Sequence, residues 1–126
     1  MRIVRFEDIE SWKEGRVLCR MVYDATEKGR FKNDFGLKDQ IRRAAVSVMS
    51  NIAEGFDSRS NMEFRRFLVI ARRSASEVKS QLYVALDRAH ITRKEFDDLY
   101  SQCDKVGKLI NGFIRFLSTS GKSKAS

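Results

Sequence analysis

Apolar residues recur at spacings of three and four along most of this chain, which is the period of a helix with one side in a core. The pattern is clearest over 64–89. Phe64, Phe67, Leu68, Ala71, Ala75, Val78, Leu82, Ala85, Leu86 and Ala89 fall within an arc of about 100° when placed at ~100° per residue. Further upstream, Ile41, Ala44, Ala45, Val48 and Ile52 make a similar stripe, which Val46, Met49, Ala53 and Phe56 widen to about 200°, interrupted by Arg42. Near the end, Leu99, Cys103, Val106, Ile110, Ile114 and Leu117 form a core stripe, and Leu109, Phe113 and Phe116 widen it to about 200°. Monomers rarely expose contiguous apolar patches, so Leu109, Phe113 and Phe116 are expected at a subunit interface. The alternative is a helix buried on two sides within one irregular bundle.

Punctuation supports the same elements. Three S/T-x-x-E capping boxes mark helix starts, at Ser11 with Glu14, Ser60 with Glu63 and Thr92 with Glu95. The run from Lys28 to Gly36 reads as a turn. Proline is absent, which disfavours a fold rich in strands and tight turns. Together these predict an all-α, four-helix chain with helices over 10–28, 37–55, 60–89 and 92–118. It forms a single domain with its core at about 6–118 and a flexible basic tail at 119–126.

Composition narrows the partners. The 126 residues are 42% hydrophobic, enough for a real core, and 25 Lys+Arg against 17 Asp+Glu leave a net charge of +8. The excess is uneven: residues 1–56 hold 11 basic and 9 acidic groups, residues 57–126 hold 14 and 8. A polyanion is the natural partner class, met by the second half of the chain. The longest uncharged stretch, Ala44 to Ala53, is half of what a membrane-spanning helix needs. Charges at Arg2, Arg5, Glu7 and Asp8 leave no room for a secretory signal, so a cytoplasmic location is expected, with no membrane partner. Cys19 and Cys103 then read as free thiols.

The run from Gln40 to Gly55, QIRRAAVSVMSNIAEG, resembles the signature of the bacterial four-helix bundle family of proteins encoded in intervening sequences of 23S rRNA genes. Phe6-Glu7-Asp8-Ile9 with Trp12-Lys13, Phe35-Gly36-Leu37, Phe64-Arg65-Arg66-Phe67-Leu68 and Ala71-Arg72-Arg73-Ser74 extend the similarity over about residues 6–117. Met49 departs from the proline, and Arg73 and His90 from the glycines, that relatives carry there. The resemblance implies an up-and-down bundle assembling into a ring-like homopentamer. It also implies kinship with accessory proteins of diversity-generating retroelements, and hence RNA or DNA, a reverse transcriptase or a ribosomal component as partners.

Two polar constellations stand out. On the second helix Gln40, Arg43, Ser47, Ser50, Asn51 and Glu54 share one strip. The strip either contacts a ligand or, as we read it, holds the bundle together, with Arg43, Asn51 and Glu54 bonding a neighbouring helix and the serines allowing close approach. On the third helix Arg65, Arg72 and Lys79 repeat every seven residues with Tyr83 near the row's end, and Arg66 and Arg73 form a second row about 100° round. This is either a solvated face or a phosphate-tracking surface with little sequence preference. Catalysis finds little support. His90, the only histidine, sits in a turn, where histidine tolerates a left-handed backbone, with no nucleophile pattern beside it. No metal-ligand spacing and no phosphate-cradling glycine loop is present, so no cofactor is expected.

Overall fold

The computed structural model describes residues 3–120, with the side chain of Ser120 left out. A 3-10 turn at Phe6–Asp8 leads into α1 (Glu10–Thr26), and a second at Gly29–Asn33 leads into α2 (Phe35–Phe56). The longer helices α3 (Asn61–Asp87) and α4 (Arg93–Ser120) follow. Each helix packs on its neighbours in sequence, and α4 closes against α1. Cross-helix contacts fix the directions. Ser47 meets Ser74 and Gly55 meets Phe64, so α3 runs back along α2. Arg65, Arg72 and Lys79 reach Leu117, Asn111 and Asp104 in turn, so α4 runs back along α3. The result is an up-and-down four-helix arrangement, and among the described residues no helix is long and apolar enough to cross a membrane.

The core follows the narrow stripes. Ile41, Ala44, Ala45, Val48 and Ile52 are buried on α2, and Phe64, Leu68, Ala71, Ala75, Val78, Leu82 and Ala85 on α3. From α4 come Leu99, Cys103, Val106, Ile110 and Leu117. α2 and α3 approach closely where Gly55 faces Phe64 and Phe67. A Cβ there would lie 2.7 Å from Phe64 Cδ1 and 2.9 Å from Phe67 Cβ, closer than packed side chains tolerate.

One of the three capping boxes, at Thr92 and Glu95, forms in full, and the one at Ser60 and Glu63 forms with its return bond shifted by one residue. Ser60 Oγ accepts from the Glu63 amide and Thr92 Oγ1 from the Glu95 amide, while Glu95 reaches back to the Thr92 N–H and Glu63 to that of Arg59. The box expected at Ser11 and Glu14 does not form. α1 starts two residues earlier than a Ser11 cap would set it, after Ile9, which has no side-chain cap. Glu14 is drawn to α4 instead, where Gln102 donates to its carboxylate at 2.9 Å and Lys105 pairs with it at 3.4 Å. Ser11 is left buried, its hydroxyl without a partner among the described residues.

At one end of the bundle two turns lock together. The left-handed residue before α4 is Ala89 (φ 59°), not His90. His90 instead turns inward, stacks on the fully buried Phe31 at 5.1 Å and places Nε2 2.9 Å from Asp34 Oδ2. Asp34 also caps α2 through the Leu37 amide. One carboxylate thereby ties the α3–α4 turn to the start of α2. At the other end α4 stays helical through Ser120, so positions 119 and 120 belong to the helix and not to a tail. The rest of the expected tail, 121–126, lies outside the described residues, as do Met1 and Arg2.

Candidate nucleic-acid interface

The first α3 row is not a solvated face. Arg65, Arg72 and Lys79 are all partly buried at the seam with α4. Arg65 Nη1 donates to the Leu117 carbonyl at 3.4 Å, Arg72 Nη1 to Asn111 Oδ1 at 2.8 Å, and Lys79 Nζ to Asp104 Oδ1 at 2.6 Å. Lys79 also lies over the Tyr100 ring at 4.6 Å. The Asp104 carboxylate, by its hydrogen bond, holds the Lys79 pKa above its ordinary value against the opposing effect of burial. The heptad spacing that placed these cations in one line also places them opposite a helix with matching acceptors. Their charges differ in fate: Lys79 is neutralised, whereas Arg65 and Arg72 have neutral partners and keep a net positive charge. Tyr83, half exposed, rests against Phe96 at 4.9 Å and Tyr100 at 6.0 Å.

The second row behaves differently. Arg66 and Arg73 are exposed and, among the described residues, have no hydrogen-bonding or ionic partner. They flank an apolar groove that contains Met62, Ile70 and Ile114. On α4, Lys108 and Arg115 are likewise exposed and without an ionic partner. Arg115 lies along the helix, its Nη2 3.8 Å from where a Cβ on Gly112 would be. Asn111, which holds Arg72, is one turn from each of them. The ridge of Lys108, Gly112 and Arg115 thus stands beside the charged part of the α3 row. Sequence reading passed over it, although Lys108 and Arg115 share the row's seven-residue spacing.

The α2 strip divides too. Ser47 Oγ and Ser74 Oγ are 2.9 Å apart across the α2–α3 contact, and Asn51 Nδ2 donates to the Ser47 carbonyl at 2.9 Å and to its Oγ at 3.0 Å. Ser47 thus makes the cross-helix bond, whereas Asn51, expected to bond a neighbouring helix, bonds back within α2 because Ser47 lies one turn away on its own face. Gln40, Arg43, Ser50 and Glu54 are exposed, and neither Arg43 nor Glu54 bonds a neighbouring helix. The cation that does bond there is Arg42, which stacks on Tyr23 at 4.3 Å and donates to Thr26 and Glu27. In the widened stripe of α4, Phe116 is exposed, while Phe113 packs on Phe64 at 5.1 Å and Leu109 is half-buried. Phe113 therefore belongs partly to the core.

Reactive chemistry is muted. Both cysteines are free and buried, and burial pushes the Cys19 thiol up to about 11 and that of Cys103 up to about 12, so neither supplies a thiolate at neutral pH. The hydrogen bond from His90, with that from the Leu37 amide, holds Asp34 below the usual carboxylate range. Among the described residues no group of three or more His, Cys, Asp or Glu could hold a metal ion.

A search of curated proteins gives no match. Among solved structures, a protein of unknown function from the S23 ribosomal protein family of Bacteroides thetaiotaomicron VPI-5482 superposes with a TM-score of 0.77 at 23% identity, over 83% of this chain and 95% of that one. At that identity the likeness speaks for the fold alone. The sequence carries the relationship further: residues 7–112, which include the α2 strip, both α3 rows and the first part of the α4 ridge, match the family profile, and the chain belongs to the 23S rRNA-intervening sequence protein family.

Proposed function

We propose that this chain acts without chemistry of its own, as a homo-oligomer, by resemblance a ring of five, that holds nucleic acid on a basic surface with little sequence preference. RNA is the expected target before DNA, in keeping with the ribosomal RNA in the family's name. The observation that carries this reading is the ridge of Lys108 and Arg115. Both are exposed and, among the described residues, without a carboxylate partner, beside Arg72, whose partner is a neutral amide. Cations so placed can pair with phosphates without first breaking ion pairs of their own. Arg65 and Arg72 take part as fixed charges, whereas Lys79, held by Asp104, contributes little.

Mobility shift with generic RNA and DNA at two salt concentrations tests the reading. Wild type binds both at low salt and releases them at high salt, and Lys108→Gln/Arg115→Gln binds more weakly at each. Absence of binding by wild type at low salt would leave an oligomeric scaffold, with its charge serving solubility.

A further inference from the structure

Two apolar grooves flank the C-terminal half of α4, and their rims carry opposite charge. The first, of about 240 Å³, is formed by Leu109, Phe113 and Phe116 against Ile9, with Asp8 and Glu10 at its edge. The second, of about 590 Å³, lies along α3 and α4. Met62, Val69, Ile70 and Ile114 give it an apolar character, and Arg65, Arg66 and Arg73 rim it, with no carboxylate in its lining. Neither is filled by the described residues: Phe116 is 59% exposed in the first, Met62 58% in the second. Around an ideal helix, Leu109, Phe113 and Phe116 point about 150° away from Ile114 and Ser118, so the two grooves open on different sides of α4.

An apolar surface edged with carboxylates is best matched by one edged with guanidiniums, and this chain carries one of each. We propose that copies of the chain join head to tail, the acidic groove of one closing on the arginine groove of the next. A two-fold contact would set each groove against itself, bringing Asp8 and Glu10, or Arg66 and Arg73, against their own copies. The head-to-tail contact buries the exposed aromatic and aliphatic side chains, gives Arg66 and Arg73 carboxylate partners, and adds guanidiniums to Asp8 and Glu10, which within the chain bond only the Val4 and Arg5 amides and the exposed Lys13. Such a contact repeats until its rotation closes a ring. The ridge of Lys108 and Arg115 lies between the two grooves, so it stays uncovered and recurs once per copy. This assignment rests on the oligomeric reading above and takes Arg65, Arg66 and Arg73, which rim the covered groove, out of the phosphate-binding set, leaving Arg72 as the α3 charge beside the ridge.

Charge exchange tests it, with mass read by light scattering and folding by circular dichroism. Arg66→Glu/Arg73→Glu and Asp8→Asn/Glu10→Arg should each reduce the assembly to single chains of unchanged helical content. The asparagine keeps an acceptor oxygen for the Val4 and Arg5 amides that Asp8 binds. The chain with all four substitutions should reassemble to the wild-type mass, because both rims have then changed sign. An assembly that persists in Arg66→Glu/Arg73→Glu, or a four-substitution chain that stays single, overturns the head-to-tail contact while leaving the oligomer itself standing. A wild-type mass of one chain overturns the oligomeric reading as well.

Discussion

The polar strip of α2 and the basic row of α3 are alike in sequence and opposite in the fold. Both are polar residues repeating at helical spacing beside an apolar stripe. On α2, Arg43 and Glu54 point to solvent and only Ser47 and Asn51 are engaged. On α3, Arg65, Arg72 and Lys79 each reach across to α4. What separates them is the partner: α4 offers Leu117 O, Asn111 and Asp104 in register with the row, whereas nothing on α1 or α3 answers Arg43 or Glu54. Periodicity tells which residues share a face, and the facing helix decides whether that face is a seam or a surface.

The sharpest way to break this contrast is to remove the seam. Arg65→Gln/Arg72→Gln/Lys79→Gln loses three interhelical hydrogen bonds, each worth about 0.5–1.5 kcal/mol, and should cost about 2–4 kcal/mol in urea denaturation. A loss below about 0.5 kcal/mol would return the row to solvent. Next in size is Gly55→Ala, which drives a methyl into Phe64 and Phe67 and should cost about 1–3 kcal/mol. An unchanged urea midpoint would mean that α2 and α3 approach less closely than the structure has them.

A third test uses pH. The Gln102 hydrogen bond, with Lys105, holds Glu14 below its ordinary value against burial, and the Thr92 amide does the same for Glu95. A carboxylate whose pKa is depressed on folding adds stability above its unfolded value, and that stability is lost as pH falls through the folded one. Urea stability should therefore decline below about pH 4.5, the ordinary Glu value, and Glu14→Gln should flatten part of that decline. An identical pH profile in the variant would remove the α1–α4 carboxylate from the account. Smallest is the α2 strip: Glu54→Ala and Arg43→Ala should each shift stability by no more than ~0.5 kcal/mol. A larger loss would place these residues in a contact that the single chain does not make.

Much of the fold was legible because it depends on period and punctuation. The stripes over Ile41–Ile52 and Phe64–Ala89 predicted most of the core, although Phe67, Leu86 and, on α4, Ile114 are only partly buried and Ala89 falls past the end of α3 in an exposed left-handed turn. Where reading failed, the deciding contact was distant in sequence. Glu14 left its capping box for Gln102, 88 positions away, and Phe113 left the outer arc to pack on Phe64. Phe31, inside a stretch that reads as a plain turn, is fully buried because His90 closes over it from the next turn. The site was less legible than the fold for the same reason. Seven-residue spacing marked Arg65, Arg72 and Lys79 but could not show that α4 was waiting for them, and the ridge of Lys108 and Arg115 went unmarked because an aspartate and two glycines interrupt its neighbourhood.

The most direct test compares two ways of removing the same charge. Lys108→Gln/Arg115→Gln takes two cations from the α4 ridge, and Arg43→Gln/Arg59→Gln takes two exposed cations from the α2 side. Generic RNA affinity is measured for each across a salt series, with oligomeric mass checked alongside. The ridge variant should bind more weakly and lose about one unit of salt slope per phosphate contact removed in each bound copy, while the α2 variant keeps the wild-type slope. Equal losses from both variants, or a loss confined to the α2 variant, would contradict the account.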